Sequence, residues 1–146
     1  MWAFPCYHMG MEAFYPDYQP ISRSAEPLSD DITRVEGGYP FAVFDALAER
    51  LRVSQARLAA VLNISSSTLQ RRRNGSFSVA ESGRLYQLEA LVTLAEKTVG
   101  DQGDAIRWLT TPNPNLGVTP LELTRTAPGL EAVTRYLEQV ADGVYL

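Results

Sequence analysis

Between Ser65 and Arg73 the chain reads Ser-Ser-Ser-Thr-Leu-Gln-Arg-Arg-Arg, eight hydrogen-bonding side chains around one leucine. Their chemistry is recognition rather than bond-making. Hydroxyls and guanidinium groups suit phosphate oxygens and base edges, with Gln matched to adenine and Arg to guanine. On a helix entering a major groove, Ser65, Ser66, Ser67, Thr68, Gln70 and Arg71 would face the bases, and Arg72 and Arg73 would hold phosphates. The alternative is a solvated face of an ordinary helical hairpin. Charge placement argues for the first reading: seven arginines stand between Arg50 and Arg84 against a single acid, Glu81, so this stretch carries +6 and the remainder −10 of a net −4. Only Lys97 among the basic residues is a lysine, and the planar fork of arginine is the better match to phosphate and guanine.

No comparable cluster points to catalysis. His8 is the one histidine and Cys6 the one cysteine, and a Cys-x-His pair without further ligands makes no metal site. There is no glycine-rich phosphate loop, no nucleophile elbow and no pair of carboxylates on one face at a cleft-like site. No enzymatic activity, metal or cofactor is therefore expected.

Helices must position the basic cluster. After Gly37-Gly38, Phe41, Phe44, Leu47, Ala48 and Leu51 recur at helical spacing. Ser54 is an N-cap candidate for a short second helix carrying Leu58, Ala59, Val61 and Leu62, and Asn63 can adopt the left-handed turn that ends it. Ser65 or Ser66 caps a third helix through Leu69 to Arg73, closed by Asn74-Gly75. Small Ala59 lets the second and third helices cross closely, Leu62 and Leu69 pack between them, and Ile64 pins the turn. Together these are the mechanical parts of a helix-turn-helix. Ser78 with Glu81 forms a capping box for a long fourth helix with Leu85, Leu88, Leu91, Val92, Ala95 and Val99 inward and Gly100 at its end.

Beyond it, a short helix about Asp104 to Leu109 carries Trp108, with Pro112 and Pro114 blocking its extension. Thr119-Pro120-Leu121-Glu122 opens another short helix. The last helix places Leu130, Val133, Leu137 and Val140 on one face and stops at Gly143. No strand pattern appears. The expectation is an all-α protein in three parts: an extended arm over 1–38, rich in proline and aromatics as in Phe14 to Pro20; a helix-turn-helix domain over 39–100; and a small helical domain over 101–146. At 146 residues the chain can bury a core. With a single cysteine, no secretion signal and apolar runs well short of the roughly 20 residues of a membrane span, the expectation is a cytoplasmic protein.

In order, Ser67 to Arg72, Glu81-Ser82-Gly83-Arg84-Leu85, Ala105 to Leu109, Pro112-Asn-Pro-Asn-Leu-Gly117, Thr119 to Glu122 and Gly143-Val144-Tyr145 resemble the Xre-type antitoxins that carry an Xre/MbcA/ParS-like toxin-binding domain. The resemblance spans about Ala46 to Leu146. Gly83, where a larger polar residue is expected, departs from it. The resemblance implies a homodimer that binds operator DNA, and a partner toxin of RES type that consumes NAD or transfers its ADP-ribosyl group. It also implies docking over the toxin's active-site cleft through Trp108, the loop residues Pro112, Asn113, Asn115, Leu116 and Gly117, and the tail Gly143, Val144, Tyr145 and Leu146. From the residues alone, Trp108 fits a core position equally well and Asn113 and Asn115 fit turn formers. A transcriptional regulator without a toxin partner is the competing reading.

Overall fold

The structure, a computed structural model, describes residues 25–143. The expectations for Cys6, His8, Phe14 to Pro20, Val144, Tyr145 and Leu146 lie outside the described residues. Eight helices and no strand occur among the described residues: α1 (Ala25–Gly37), α2 (Phe41–Leu51), α3 (Gln55–Val61), α4 (Ser66–Arg72), α5 (Val79–Val99), α6 (Gln102–Thr110), α7 (Pro120–Leu123) and α8 (Ala127–Ala141).

Over its described part, 25–37, the extended arm expected over 1–38 is corrected by α1. The reason it escaped the periodicity is physical: its first turn holds a proline, which helix starts tolerate, and Ile32 in its second half is exposed rather than packed. It ends where Gly38 turns left-handed, φ 82°, and returns its N–H to Val35 O at 3.1 Å. A Cβ on Gly38 would lie 2.6 Å from Phe77 O, so this close approach requires glycine. From Arg34 onward the described residues form one compact unit.

Tyr39 to Phe77 encloses the helix-turn-helix. The Tyr39 N–H donates to the buried Ser82 hydroxyl at 2.8 Å, Phe77 N donates to Tyr39 O at 2.9 Å, and Pro40 bridges Ser76. These bonds clasp the segment before α2 against the segment before α5. Phe44 and Phe77 are buried and cluster with Phe41, ring centroids 5.4 to 6.2 Å apart, Phe41 stacking on Phe77. Helix α2 closes on Arg52 in the left-handed region, φ 56°. A second tie from α2 to α5 is the part-buried pair of Arg50 with Glu96 at 2.7 Å, with Thr93 Oγ1 accepting from the same guanidinium at 3.1 Å. That hydrogen bond to Glu96, opposed by partial burial and aided by the charges of Glu96 and Glu89, raises the Arg50 pKa above its ordinary value.

Helix α5 is the spine. Leu85, Leu88, Leu91, Val92 and Ala95 are buried along it, and it packs against both α6 and α8. The C-terminal helices add Ala105, Ile106, Leu109, Leu121, Val133 and Leu137 to the buried set. Burial of the leucine, isoleucine and valine side chains among these is worth about 1.5 to 3 kcal/mol each, so the short helices α3, α4 and α7 are held by the core rather than by their own propensity. No helix among the described residues is long and apolar enough to cross a membrane.

Candidate functional site

Helices α3 and α4 both start on a serine that accepts a backbone N–H: Ser54 Oγ from Arg57 N at 3.1 Å and Ser65 Oγ from Thr68 N at 3.2 Å. Between them Asn63 sits at φ 55°, and Ile64 N bonds back to Ala59 O at 2.8 Å. Ala59, Leu62, Ile64 and Leu69 are all buried. Leu69 thereby fixes the roll of α4 and leaves Ser66, Ser67, Gln70 and Arg71 exposed on its outer side.

The outer residues are bonded to one another. The Ser65 hydroxyl lies 2.9 Å from Thr68 Oγ1 and 3.2 Å from Ser67 Oγ, and Arg71 Nη2 donates to Thr68 Oγ1 at 3.2 Å. Arg73 Nε donates to Gln70 Oε1 at 3.1 Å and its Nη2 to Gln55 Oε1 at 2.8 Å, while its guanidinium lies 5.0 Å from the Phe41 ring centroid. Such contacts hold long side chains in fewer rotamers before any ligand arrives.

Arg72 is placed differently. It forks onto Glu81, Nε to Oε2 at 2.9 Å and Nη2 to Oε1 at 3.2 Å, which raises its pKa from the ordinary value. The same carboxylate accepts Ser78 N at 2.8 Å, and Ser78 Oγ accepts Glu81 N at 3.1 Å, completing the capping box. Burial pushes the Glu81 carboxyl up, but the bonds from Arg72 and Ser78 outweigh it and hold the group below its ordinary range. Arg72 therefore ties α4 to α5, and any phosphate must compete with Glu81 for it.

Farther along the chain, Trp108 on α6 is half-buried and stacks on Tyr136 of α8, centroids 5.7 Å apart and planes 14° from parallel. It both leans on the core and shows an edge to solvent. The loop after α6 is shaped by Asn113: its Oδ1 accepts Asn115 N at 2.9 Å, its carbonyl accepts Leu116 N at 3.0 Å and Gly117 N at 2.8 Å, and its N–H reaches Val118 O at 3.1 Å. Gly117 turns left-handed at φ 84°. Pro112, Asn115 and Gly117 are exposed, and so is Val118, a branched apolar side chain in water. Gly143, also left-handed, stands exposed after α8. Trp108 and the Asn113 loop flank the same helix end, whereas the α4 face is built from a separate part of the chain.

Sequence reasoning missed Tyr136, which stacks on Trp108 from a distant helix, and Glu81's hold on Arg72. It also missed the bond from Asn63 Nδ2 to Arg125 O, 2.8 Å, between the helix-turn-helix turn and the α7–α8 junction. Only Glu81 carried a sequence signal, its box with Ser78. No group of residues that could hold a metal ion occurs among the described residues.

A helix-turn-helix with an outward Ser/Gln/Arg face, continued through one long helix into three further helices, defines the class. Residues 22–104 match the family model described as the antitoxin Xre-like helix-turn-helix domain, and residues 94–143 match the antitoxin Xre/MbcA/ParS C-terminal toxin-binding domain. The chain belongs to the Xre-type antitoxins. The first match begins at residue 22, ahead of the boundary expected at 39, and so takes in α1. The chain is similar to Antitoxin Xre of Pseudomonas putida, 28% identical over 112 residues, covering 76% of this chain and 70% of that protein. It is also similar to Antitoxin Xre of Yersinia enterocolitica, 28% identical over 118 residues, covering 78% of this chain and 80% of the relative.

Proposed function

We propose that this chain neutralises a RES-type, NAD-consuming toxin in the cytoplasm by covering its active-site cleft, and that as a homodimer it represses the operon encoding both proteins. The observation that carries the reading is the toxin-binding family match over residues 94–143, continuous with the helix-turn-helix. The C-terminal surface supports it in kind. An aromatic anchor backed by Tyr136, a loop pinned by Asn113 and an apolar tail, Val144-Tyr145-Leu146, can fill a cleft made for a dinucleotide. The α4 face supports operator binding, with Ser65, Ser66, Ser67, Thr68, Gln70 and Arg71 at the bases and Arg73 towards the backbone. No catalytic role is assigned to any residue.

The test is co-expression with the product of the neighbouring reading frame, purification through a tag on one partner, and an assay of NAD consumption. Stable co-purification with NAD consumption suppressed is expected, and removal of Val144 to Leu146 weakens the suppression. A chain that forms no complex, while still retarding its own promoter DNA, overturns the antitoxin reading in favour of a stand-alone regulator.

A further inference from the structure

We propose that Gln70 reads a guanine, because a chain of hydrogen bonds from Asp45 through Gln55 and Arg73 fixes its amide with the nitrogen outward. The inference rests on the DNA-binding reading of α4 and names what that face selects.

The polarity of the chain follows from its two obligate members. A carboxylate can only accept and a guanidinium can only donate. Asp45 Oδ1 accepts from Gln55 Nε2 at 2.8 Å, so Gln55 turns its oxygen the other way, where it accepts from Arg73 Nη2 at 2.8 Å. Arg73 then donates Nε to Gln70 Oε1 at 3.1 Å. Neither glutamine can reverse without placing NH₂ against a cation or an oxygen against a carboxylate. Arg73 is itself held over the Phe41 ring at 5.0 Å, so the chain that ends on Gln70 rests on α2 at two points: Asp45 and Phe41 stand one turn apart on that helix.

The consequence is electronic as well as geometric. An unengaged glutamine pairs with adenine by giving an N–H to N7 and accepting from N6. With a cation on Oε1, the oxygen is a weaker acceptor and the outward NH₂ a stronger donor. Guanine presents two acceptors, N7 and O6, in the major groove, and no donor there that needs an acceptor. Gln70 is exposed and lies on the same side of α4 as Ser66, Ser67 and Arg71. Asp45 and Gln55 act as positioning residues that touch no base.

Selection of bound sequences from randomised duplexes, using the full chain at one salt concentration, tests this. Gln70→Ala marks the base pair that Gln70 contacts by losing preference there. The base expected at that position is guanine, favoured over adenine about tenfold. Arg73→Met keeps an unbranched stem beside Phe41 but frees the Gln70 oxygen, and the preference moves to adenine. Gln55→Leu moves it part of the way, and gives a second route should the Arg73 variant fail to fold. Asp45→Asn, which still offers an acceptor to Gln55, retains guanine, and Asp45→Ala moves the preference no further than Gln55→Leu does. Adenine preferred by the wild-type chain, or an unchanged base in Arg73→Met and Gln55→Leu, overturns this inference alone. No enriched sequence with the wild-type chain overturns the DNA-binding reading and this inference with it.

Discussion

The two proposed binding surfaces are built on opposite plans. On α4 nearly every side chain proposed to meet DNA comes from one run of nine residues, and several of them bond to each other, to Gln55 of α3 and to Glu81 of α5. At the C-terminal surface Trp108 is backed by Tyr136 from another helix, and the loop takes its form from backbone bonds to Asn113. One surface is specified by hydrogen-bonding groups in sequence order, the other by shape assembled from separated segments. Recognition of a repeating polymer needs a short row of donors and acceptors, whereas covering a cleft needs a contour.

The difference in plan predicts a difference in tolerance, and glycine substitutions expose it most. A Cβ at Gly129, in the first turn of α8, would lie 1.8 Å from Leu123 O and 2.7 Å from its carbonyl carbon. Backbone cannot yield as a side-chain tip can, so Gly129→Ala should cost about 3 kcal/mol in urea unfolding and disrupt toxin binding. Gly75, which closes α4, meets nothing within 4 Å and has no left-handed φ. Gly75→Ala should change stability by no more than about 0.5 kcal/mol. Equal losses at the two positions would mean that the contour of the C-terminal unit is no stiffer than the turn after α4.

A smaller effect should appear at Asn63, where the two plans meet. It is left-handed and donates to Arg125 O at 2.8 Å. Asn63→Ala loses both the bond and a residue suited to that backbone, so a loss of about 1 to 2 kcal/mol is expected. Asn63→Gly keeps the backbone and loses only the bond, so the loss should be smaller. If the two variants are equally destabilised, the bond rather than the turn is what Asn63 supplies. The exposed pair of Arg57 with Glu122, 3.7 Å apart, crosses the same junction but contributes little in water.

How legible the molecule was in its sequence follows the same division. The helix-turn-helix was readable because each part is a local rule: Ser54 and Ser65 cap, Asn63 turns, Ala59 admits a close crossing and Leu69 buries. The capping box at Ser78 and the Thr119-Pro120 start were readable for the same reason. Helix α1 was not, since a proline in its first turn and the exposed Ile32 hide the period. At the site, sequence could name the side chains of α4 but not their pairing, because Gln55 with Arg73 and Arg72 with Glu81 are tertiary facts. The C-terminal surface was legible only through family resemblance. Nothing in the residues near Trp108 announces Tyr136, and Gly83, a departure from the family pattern, proves to have open space around it.

The smallest effect at neutral pH is also the most diagnostic of the α4 plan, since it depends on one carboxylate serving two elements. Glu81 caps α5 and holds Arg72, and its folded-state pKa lies below the ordinary value of 4.5. A depressed carboxylate pKa adds stability that is full above the unfolded value and is lost as pH falls through the folded one. The wild-type unfolding midpoint in urea should therefore hold steady above pH 4.5 and fall below it. Glu81→Gln still offers an oxygen to Arg72 or Ser78 but carries no charge, so its midpoint should begin lower and fall less steeply in acid. Because the lost hold is on α4, sequence-selective DNA binding should weaken in the variant while toxin binding does not. Parallel acid profiles for the two proteins would show that Arg72 owes its place to packing, and would free it for the phosphate role that its position in the sequence indicates.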